Sequence, residues 1–284
     1  ALFLILSRYV DDLQDSKSTL EECLKLAKDA DELFALVGLI CKAWTMSGSP
    51  PPEVVSKDGV SIGVGGFGWF PEVDVVELKV PKLHFGKSRR GRLPDTVKFF
   101  EGDEDDLDEF VPKKLTRRQA ASKLASLWDI LGKLAPIMTG LKLDLRETFQ
   151  RTEGWDDGMP VDLRQKWLKN FWLIEQLRGL KYQRAVMPMD AVDTKLRLLS
   201  GVDAAKTGLM MGCWGGFKRK NGTWSNKLIL GRSLLAKSES IPKDELESLC
   251  AGSNMTWVVR TALLDWVETS ILFSDSTIAL CWLT

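Results

Sequence analysis

The chain has 284 residues, 44% hydrophobic and 27% charged, with 39 Lys and Arg against 39 Asp and Glu. That composition belongs to a globular chain and excludes wholesale disorder, and a prior of ~150 residues per domain suggests about two domains. A net charge of zero excludes a uniformly basic nucleic-acid coat but leaves room for a local basic groove.

Residues 1–6 (ALFLIL) are apolar and β-prone, and Tyr9-Val10-Asp11-Asp12-Leu13 then reads as a two-aspartate turn between strands. Residues 18–44 carry a helical period. Ser18 and Glu21 form a capping box, and Leu20, Cys23, Leu24, Ala27, Ala30, Leu33, Phe34, Val37 and Ile40 follow at three- and four-residue spacing. Ser49-Pro50-Pro51-Pro52 breaks the chain. Strands are expected at 60–64 and 73–80, around a glycine-rich corner. Residues 86–110 read as an exposed loop, with basic Lys87, Arg89, Arg90 and Arg92 before an acidic run from Glu101 to Glu109.

Residues 115–150 read as helical, capped by Thr116. Leu124, Leu127, Trp128, Leu131 and Leu134 form one stripe, and Pro136 interrupts the helix or starts a second one. A further helix is expected from 161 to about 180, with Trp167, Phe171, Ile174 and Leu177 on its apolar face. From about 195 the period changes to that of strands, at 196–202, 209–217 and 227–235, with Asn221-Gly222 as a hairpin turn. Pro242 opens a helix running to about 266, and 270–273 reads as a buried strand. This β-β-β-α-β order puts Asp203 at the end of its first strand, Glu245 early in the helix and Asp275 after its last strand.

The five cysteines include no CxxC pair and read as reduced, buried thiols rather than a disulfide framework or zinc site. No apolar run approaches the ~18–20 residues that span a bilayer, and the N-terminus lacks the basic region of a secretion signal. The chain starts at Ala1 and stops at Thr284 inside apolar runs, so both ends are expected to be cut from something longer.

Two carboxylate groups suggest chemistry. Asp11 and Asp12 repel each other on a tight hairpin unless a divalent cation or basic partner compensates; a solvated turn is the alternative. Asp203, Glu245 and Asp275 come from a strand, a helix and a neighbouring strand end, so they can converge on a metal pair. Their hard oxygen ligands suit Mg²⁺ or Mn²⁺.

Tyr9-x-Asp11-Asp12 resembles the metal-binding motif of reverse transcriptases, and the β-β-β-α-β carboxylate set resembles the ribonuclease H fold. Lys42-Ala43-Trp44 and Phe67-Gly68-Trp69-Phe70-Pro71-Glu72-Val73-Asp74 resemble segments that follow the Asp-Asp hairpin in retroelement polymerases. The segment from Ala125 to Pro136, Gly154-Trp155-Asp156-Asp157, Ile241-Pro242-Lys243-Asp244-Glu245-Leu246 and Phe273-Ser274-Asp275-Ser276-Thr277 are similar to BEL/Pao long-terminal-repeat retrotransposon Pol proteins. The resemblance covers nearly the whole chain and implies an α/β (α+β) fold in three parts. These are the C-terminal part of a polymerase palm (1–85), a loop and helical thumb or connection (86–190), and a truncated ribonuclease H-like domain with a mixed sheet (191–284).

The implied parent activity is RNA-directed DNA synthesis with ribonuclease H cleavage of the RNA in hybrids, by two-metal catalysis. Asp11 and Asp12 would be polymerase ligands of Mg²⁺, and Asp203, Glu245 and Asp275 would be ribonuclease H ligands. The implied partners are template-primer and RNA–DNA hybrid, with no membrane. The implied location is a cytoplasmic virus-like particle or the nucleus, not the secretory route.

A third palm aspartate would precede Ala1, and a further ribonuclease H carboxylate would follow Thr284, so the chain by itself is expected to be inactive. The alternatives are a degenerate remnant that at most binds nucleic acid, and a Pao-type retrotransposon peptidase. The peptidase lacks its chemistry here: Asp95-Thr96, Asp193-Thr194 and Asp275-Ser276 are each followed by a residue other than the glycine of an aspartic protease.

Gly63-Val64-Gly65-Gly66-Phe67-Gly68 fits a dinucleotide fingerprint but leads into a β-branched run instead of a helix. Gly86-Lys87-Ser88 hints at a phosphate loop, with Pro81 in the place of the first glycine. His84 is the sole histidine, so His-based triads have no partner. Of the 11 tryptophans, Trp128, Trp167 and Trp172 fall at helical spacing and read as core; others could stack on bases. Lys87, Arg89, Arg90, Arg92, Lys113, Lys114, Arg117 and Arg118 could contact phosphates, with a solvated charged face as the alternative.

Overall fold

A computed structural model describes residues 8–9, 12–13, 15–17, 19–56, 58–86, 93–237 and 240–282. The chain divides into two compact units, Ala1–Lys79 with Gly179–Arg184, and Val80–Arg178 with Ala185–Thr284.

In the first unit, β1 (Arg8–Tyr9) and β2 (Asp12–Leu13) pair as an antiparallel hairpin, Tyr9 opposite Asp12. Helix α1 (Leu20–Ala35) begins with a capping box one residue later than expected. The Thr19 side chain accepts from the Glu22 amide at 3.2 Å, and the Glu22 carboxylate accepts from the Thr19 amide at 3.1 Å. The helix also ends well before 44. Gly38 takes φ +73, the left-handed value that closes a helix, and its amide donates to Ala35 while Leu39 donates to Phe34. Val37 and Ile40 therefore leave the apolar stripe and stand exposed.

The second element of this unit is an antiparallel sheet of β3 (Ile62–Val64), β4 (Phe67–Phe70), β5 (Val75–Leu78) and β6 (Lys181–Gln183), in that order. Gly65 and Gly66, at φ +55 and +89, form the two-residue turn between β3 and β4. That turn accounts for the fingerprint-like glycines.

The second unit has a helical part and a mixed sheet. Its helices are α2 (Leu107–Phe110), α3 (Arg117–Ala125), α4 (Ala135–Arg151) and α5 (Val161–Gln176). Leu107, Val111, Leu115, Leu141, Leu163, Trp167 and Phe171 form their core. The expected stripe from Leu124 to Leu134 is not helical throughout. The Asp129 carboxylate accepts from the amides of Lys133 and Leu134 at 2.9 and 2.6 Å, and Gly132 takes φ +64. This turn separates α3 from α4, and Trp128 is half exposed rather than core. Trp167 is fully buried, its indole donating to Thr148 Oγ1 at 2.8 Å, and Trp172 is partly buried against the same core.

The sheet runs in the order β10-β7-β8-β9. Strands β7 (Leu196–Ala205), β8 (Gly208–Lys218) and β9 (Trp224–Leu235) form an antiparallel meander. Helix α6 (Ile241–Ala262), with Pro242 in its first turn, crosses over, and β10 (Val267–Phe273) returns parallel to β7. Gly252 lets α6 lie against β7, because a Cβ there would overlap the Val202 side chain. Leu198, Val202, Leu209, Met211, Cys213, Leu249, Met255 and Val259 are buried between sheet and helix. A short helix α7 (Thr277–Cys281) follows. The β-β-β-α-β order is as expected, but β10 lies at the sheet edge and is half exposed rather than buried: Ile271 and Phe273 are 47% and 54% accessible.

Among the described residues there is no disulfide, and of the cysteines only Cys213 is buried. Cys250 and Cys281 are exposed on α6 and α7, correcting the expectation of uniformly buried thiols. No helix among the described residues is long and apolar enough to cross a membrane.

Candidate metal centre

Three elements of the mixed sheet bring Asp203, Glu245 and Asp275 together, with one carboxylate oxygen from each lying within 4.8 Å of the others. Strand alternation sets the first. Val202 and Ala204 are buried, and Asp203 between them is exposed near the strand end. Glu245 lies near the start of α6, just after its first turn, and is 8% exposed. Asp275 follows β10 in a serine-built turn: Ser274 Oγ accepts from the Ser276 amide at 3.2 Å, and Ser276 Oγ accepts from the Ala279 amide at 3.3 Å. The parallel pairing of β10 with β7 brings both acidic strand ends to one end of the sheet.

Burial pushes the Glu245 carboxyl above its ordinary range. The Asp203 and Asp275 charges push the same way, and a hydrogen bond from the Ala204 amide acts against them. Glu245 Oε2 is buried without a hydrogen-bond partner. A buried orphan oxygen among three hard donors is what a divalent cation would satisfy, so the residues present fit Mg²⁺ or Mn²⁺. Asp244, which the sequence reading passed over, is 1% exposed and its Oδ1 also lacks a partner. Its only sequence signal is its place in a helix's first turn, next to Glu245.

Asp11 lies outside the described residues, and of Asp12 only the strand pairing is described. Lys87, Arg89, Arg90 and Arg92 also lie outside them. Arg117 is not a phosphate contact: it is buried, donates through Nε to Thr152 Oγ1 at 2.9 Å, and stacks on Phe149 at 4.5 Å. Lys113 and Arg118 are already paired with Asp108 and Asp156, at 2.7 and 2.8 Å.

Comparison with curated proteins gives no match. Among solved structures, the foamy viral protease-reverse transcriptase in complex with dsDNA is similar at 15% identity and a TM-score of 0.46, over 98% of this chain and 48% of that one. A second foamy viral structure, the dRH form in complex with ds DNA, is similar at 15% identity and 0.45, over 97% and 40%. The chain thus spans less than half the length of either. The family model described as the Pao retrotransposon-like RNaseH-like domain matches residues 116–276, which hold all three clustered carboxylates. With more than half its length matched and the β-β-β-α-β sheet in place, the chain belongs to the Pao retrotransposon-like RNaseH-like family.

Proposed function

We propose that the carboxylate cluster belongs to a retrotransposon Pol protein and serves hydrolysis of the RNA strand in RNA–DNA hybrids. The observation that supports this most is the convergence of Asp203, Glu245 and Asp275 within 4.8 Å, with a buried, unpartnered Glu245 oxygen. All three would hold Mg²⁺ or Mn²⁺. When bound, the cation would neutralise phosphate charge and lower the pKa of the attacking water. The chain's own part is positional: β7, α6 and the turn after β10 fix the three carboxylates before substrate arrives, and the Ala204 amide orients Glu245.

Residues 1–85 are proposed as the end of a polymerase palm, with Asp11 and Asp12 as its metal ligands and a template-primer as partner. The Tyr9–Asp12 pairing of the β1–β2 hairpin supports that reading.

The test is cleavage of a labelled RNA–DNA hybrid in Mg²⁺ or Mn²⁺, alongside Mn²⁺ binding, by the wild-type chain and Asp203→Asn. Mn²⁺ binding lost in the variant, with or without cleavage, supports the metal site. Cleavage lost with it establishes the activity in this chain. A wild-type chain that neither binds Mn²⁺ nor cleaves favours the inert remnant.

A further inference from the structure

Four cations lie toward the same end of the sheet as the carboxylates, and none of them has a carboxylate ion-pair partner among the described residues. Lys142 and Arg146 stand one turn apart on α4. The Lys142 ammonium donates to the Ser233 carbonyl at 3.0 Å, and Arg146 Nη2 donates to the Ala236 carbonyl at 3.0 Å. Arg232, exposed on β9, is the neighbouring charge felt by Lys142. It adds to desolvation in lowering the Lys142 pKa, and no acid acts against it. Lys206 is exposed in the β7–β8 turn, and the next residue's carbonyl accepts from the Ala236 amide at 3.1 Å.

The strand register locates this group relative to the carboxylates. Asp203 pairs with Met210, and Met210 pairs with Ser233. Two strand spacings of ~4.8 Å put the Ser233 backbone about 10 Å from that of Asp203, on the scale of the ~6–12 Å grooves of a duplex. Lys206 is three residues beyond Asp203 in the same hairpin. Like charges held together without a counter-charge destabilise a fold unless an anion completes them. The nearby Lys237, by contrast, is satisfied by Glu247 at 3.2 Å.

We propose that Lys142, Arg146, Lys206 and Arg232 form a track for the phosphodiester backbone of the nucleic acid whose scissile bond lies at the carboxylates. The proposal rests on the hydrolase reading for the identity of the strand and adds where that strand is gripped. The contacts are to phosphates, so the track binds without sequence preference and its affinity depends on salt.

The test is binding of a fluorescent RNA–DNA hybrid in EDTA, where hydrolysis cannot intervene, across ~50–200 mM salt. Arg232→Gln and Lys206→Gln remove exposed side chains and keep the fold intact even if Lys142→Gln does not. Each is expected to reduce the slope of log K against log salt by about 0.9, and the double variant by about twice that. Lys169→Gln, exposed on α5, should leave the slope unchanged. Unaltered slopes in Arg232→Gln and Lys206→Gln overturn the track, even if the wild-type chain cleaves hybrid and Asp203→Asn does not. Reduced slopes support the track, even if Mn²⁺ binding and cleavage are absent and the hydrolase reading falls.

Discussion

Gly132 and Gly231 meet backbone to backbone. A Cβ on Gly132 would overlap the Gly231 carbonyl, and a Cβ on Gly231 would come to 2.5 Å from the Gly132 oxygen. Beside this contact the Gly231 amide donates to the Leu131 carbonyl at 2.8 Å, and the Lys133 ammonium donates to Leu228. Strand β9 is a sheet edge, so the turn before α4 covers backbone that would otherwise be open to pairing. Gly132 also holds φ +64, a conformation that costs an L-residue on the order of 1 kcal/mol or more before any clash. Gly132→Ala is expected to lower the chemical unfolding midpoint markedly. Gly140→Ala, with nothing within 4 Å of its Cβ, should hold or raise it. Equal midpoints for the two variants would contradict the close approach.

The carboxylate cluster makes a prediction with two signs. Three acids within 4.8 Å repel one another, so Asp203→Asn removes one like charge from the metal-free chain. Relief on the order of 1 kcal/mol at solvent-exposed distances corresponds to a midpoint about 2–4 °C higher. Mn²⁺ or Mg²⁺ should reverse the order. A cation at 100 times its Kd adds about 2.7 kcal/mol to the wild-type chain, and little to the variant. Calorimetry with and without metal checks both signs, and an apo variant less stable than wild type would argue against the cluster.

Arg164 ties α2 and the two residues after it to α5. It is 6% exposed and donates to the carbonyls of Asp108, Val111 and Pro112 at 2.9, 2.8 and 3.1 Å, and also to the Asp108 carboxylate. Arg164→Met leaves those carbonyls without their donor and is expected to cost about 2–4 kcal/mol. Lys113 and Arg164 hold the Asp108 carboxyl down at about 2. Its folded pKa lies below the ordinary value of 3.8, so its contribution is full above pH ~4 and is lost as pH falls toward 2. Asp108→Asn should therefore flatten the acid limb of the stability profile between about pH 4 and pH 2. Urea midpoints across that window measure it.

What the sequence made legible follows from how local each signal is. Alternation along 196–235 and the Asn221-Gly222 turn are local, and the observed strands match them; Gly222 takes φ +84. The capping box slipped by one residue because Ser18–Glu21 and Thr19–Glu22 both fit the pattern, and only backbone geometry separates them. The stripe from Leu124 to Leu134 misled because leucines buried from a turn repeat at the same spacing as leucines buried from a helix. Asp129 and Gly132 were the warnings. The Asp203, Glu245 and Asp275 group was readable as a possibility, because strand and helix ends in this order can converge; the parallel pairing of β10 with β7 is what brings them together. Lys142, Arg146, Lys206 and Arg232 were not readable as a group, since their common end of the sheet is set by the β7–β8–β9 register and by the bonds of α4 to Ser233 and Ala236.

The cysteines supply a reporter for this part of the fold. Cys213 is fully buried in β8, where its sulfur accepts from Ser200 Oγ at 3.2 Å, and burial pushes its thiol pKa up. A thiolate is the species that reacts, so Cys213 should resist iodoacetamide while exposed Cys250 on α6 is alkylated quickly. Ser200 and Cys213 face each other across the β7–β8 ladder, three residues from the Asp203–Met210 pair. Labelling of Cys213 therefore reports opening of the strand that holds Asp203. Peptide mapping by mass spectrometry should find Cys213 labelling faster in Gly132→Ala, which loosens the covered edge of the sheet, and slower when Mn²⁺ ties β7 to α6 and the turn after β10. Cys213 labelled as fast as Cys250 in the wild-type chain would mean that this ladder does not form a closed core.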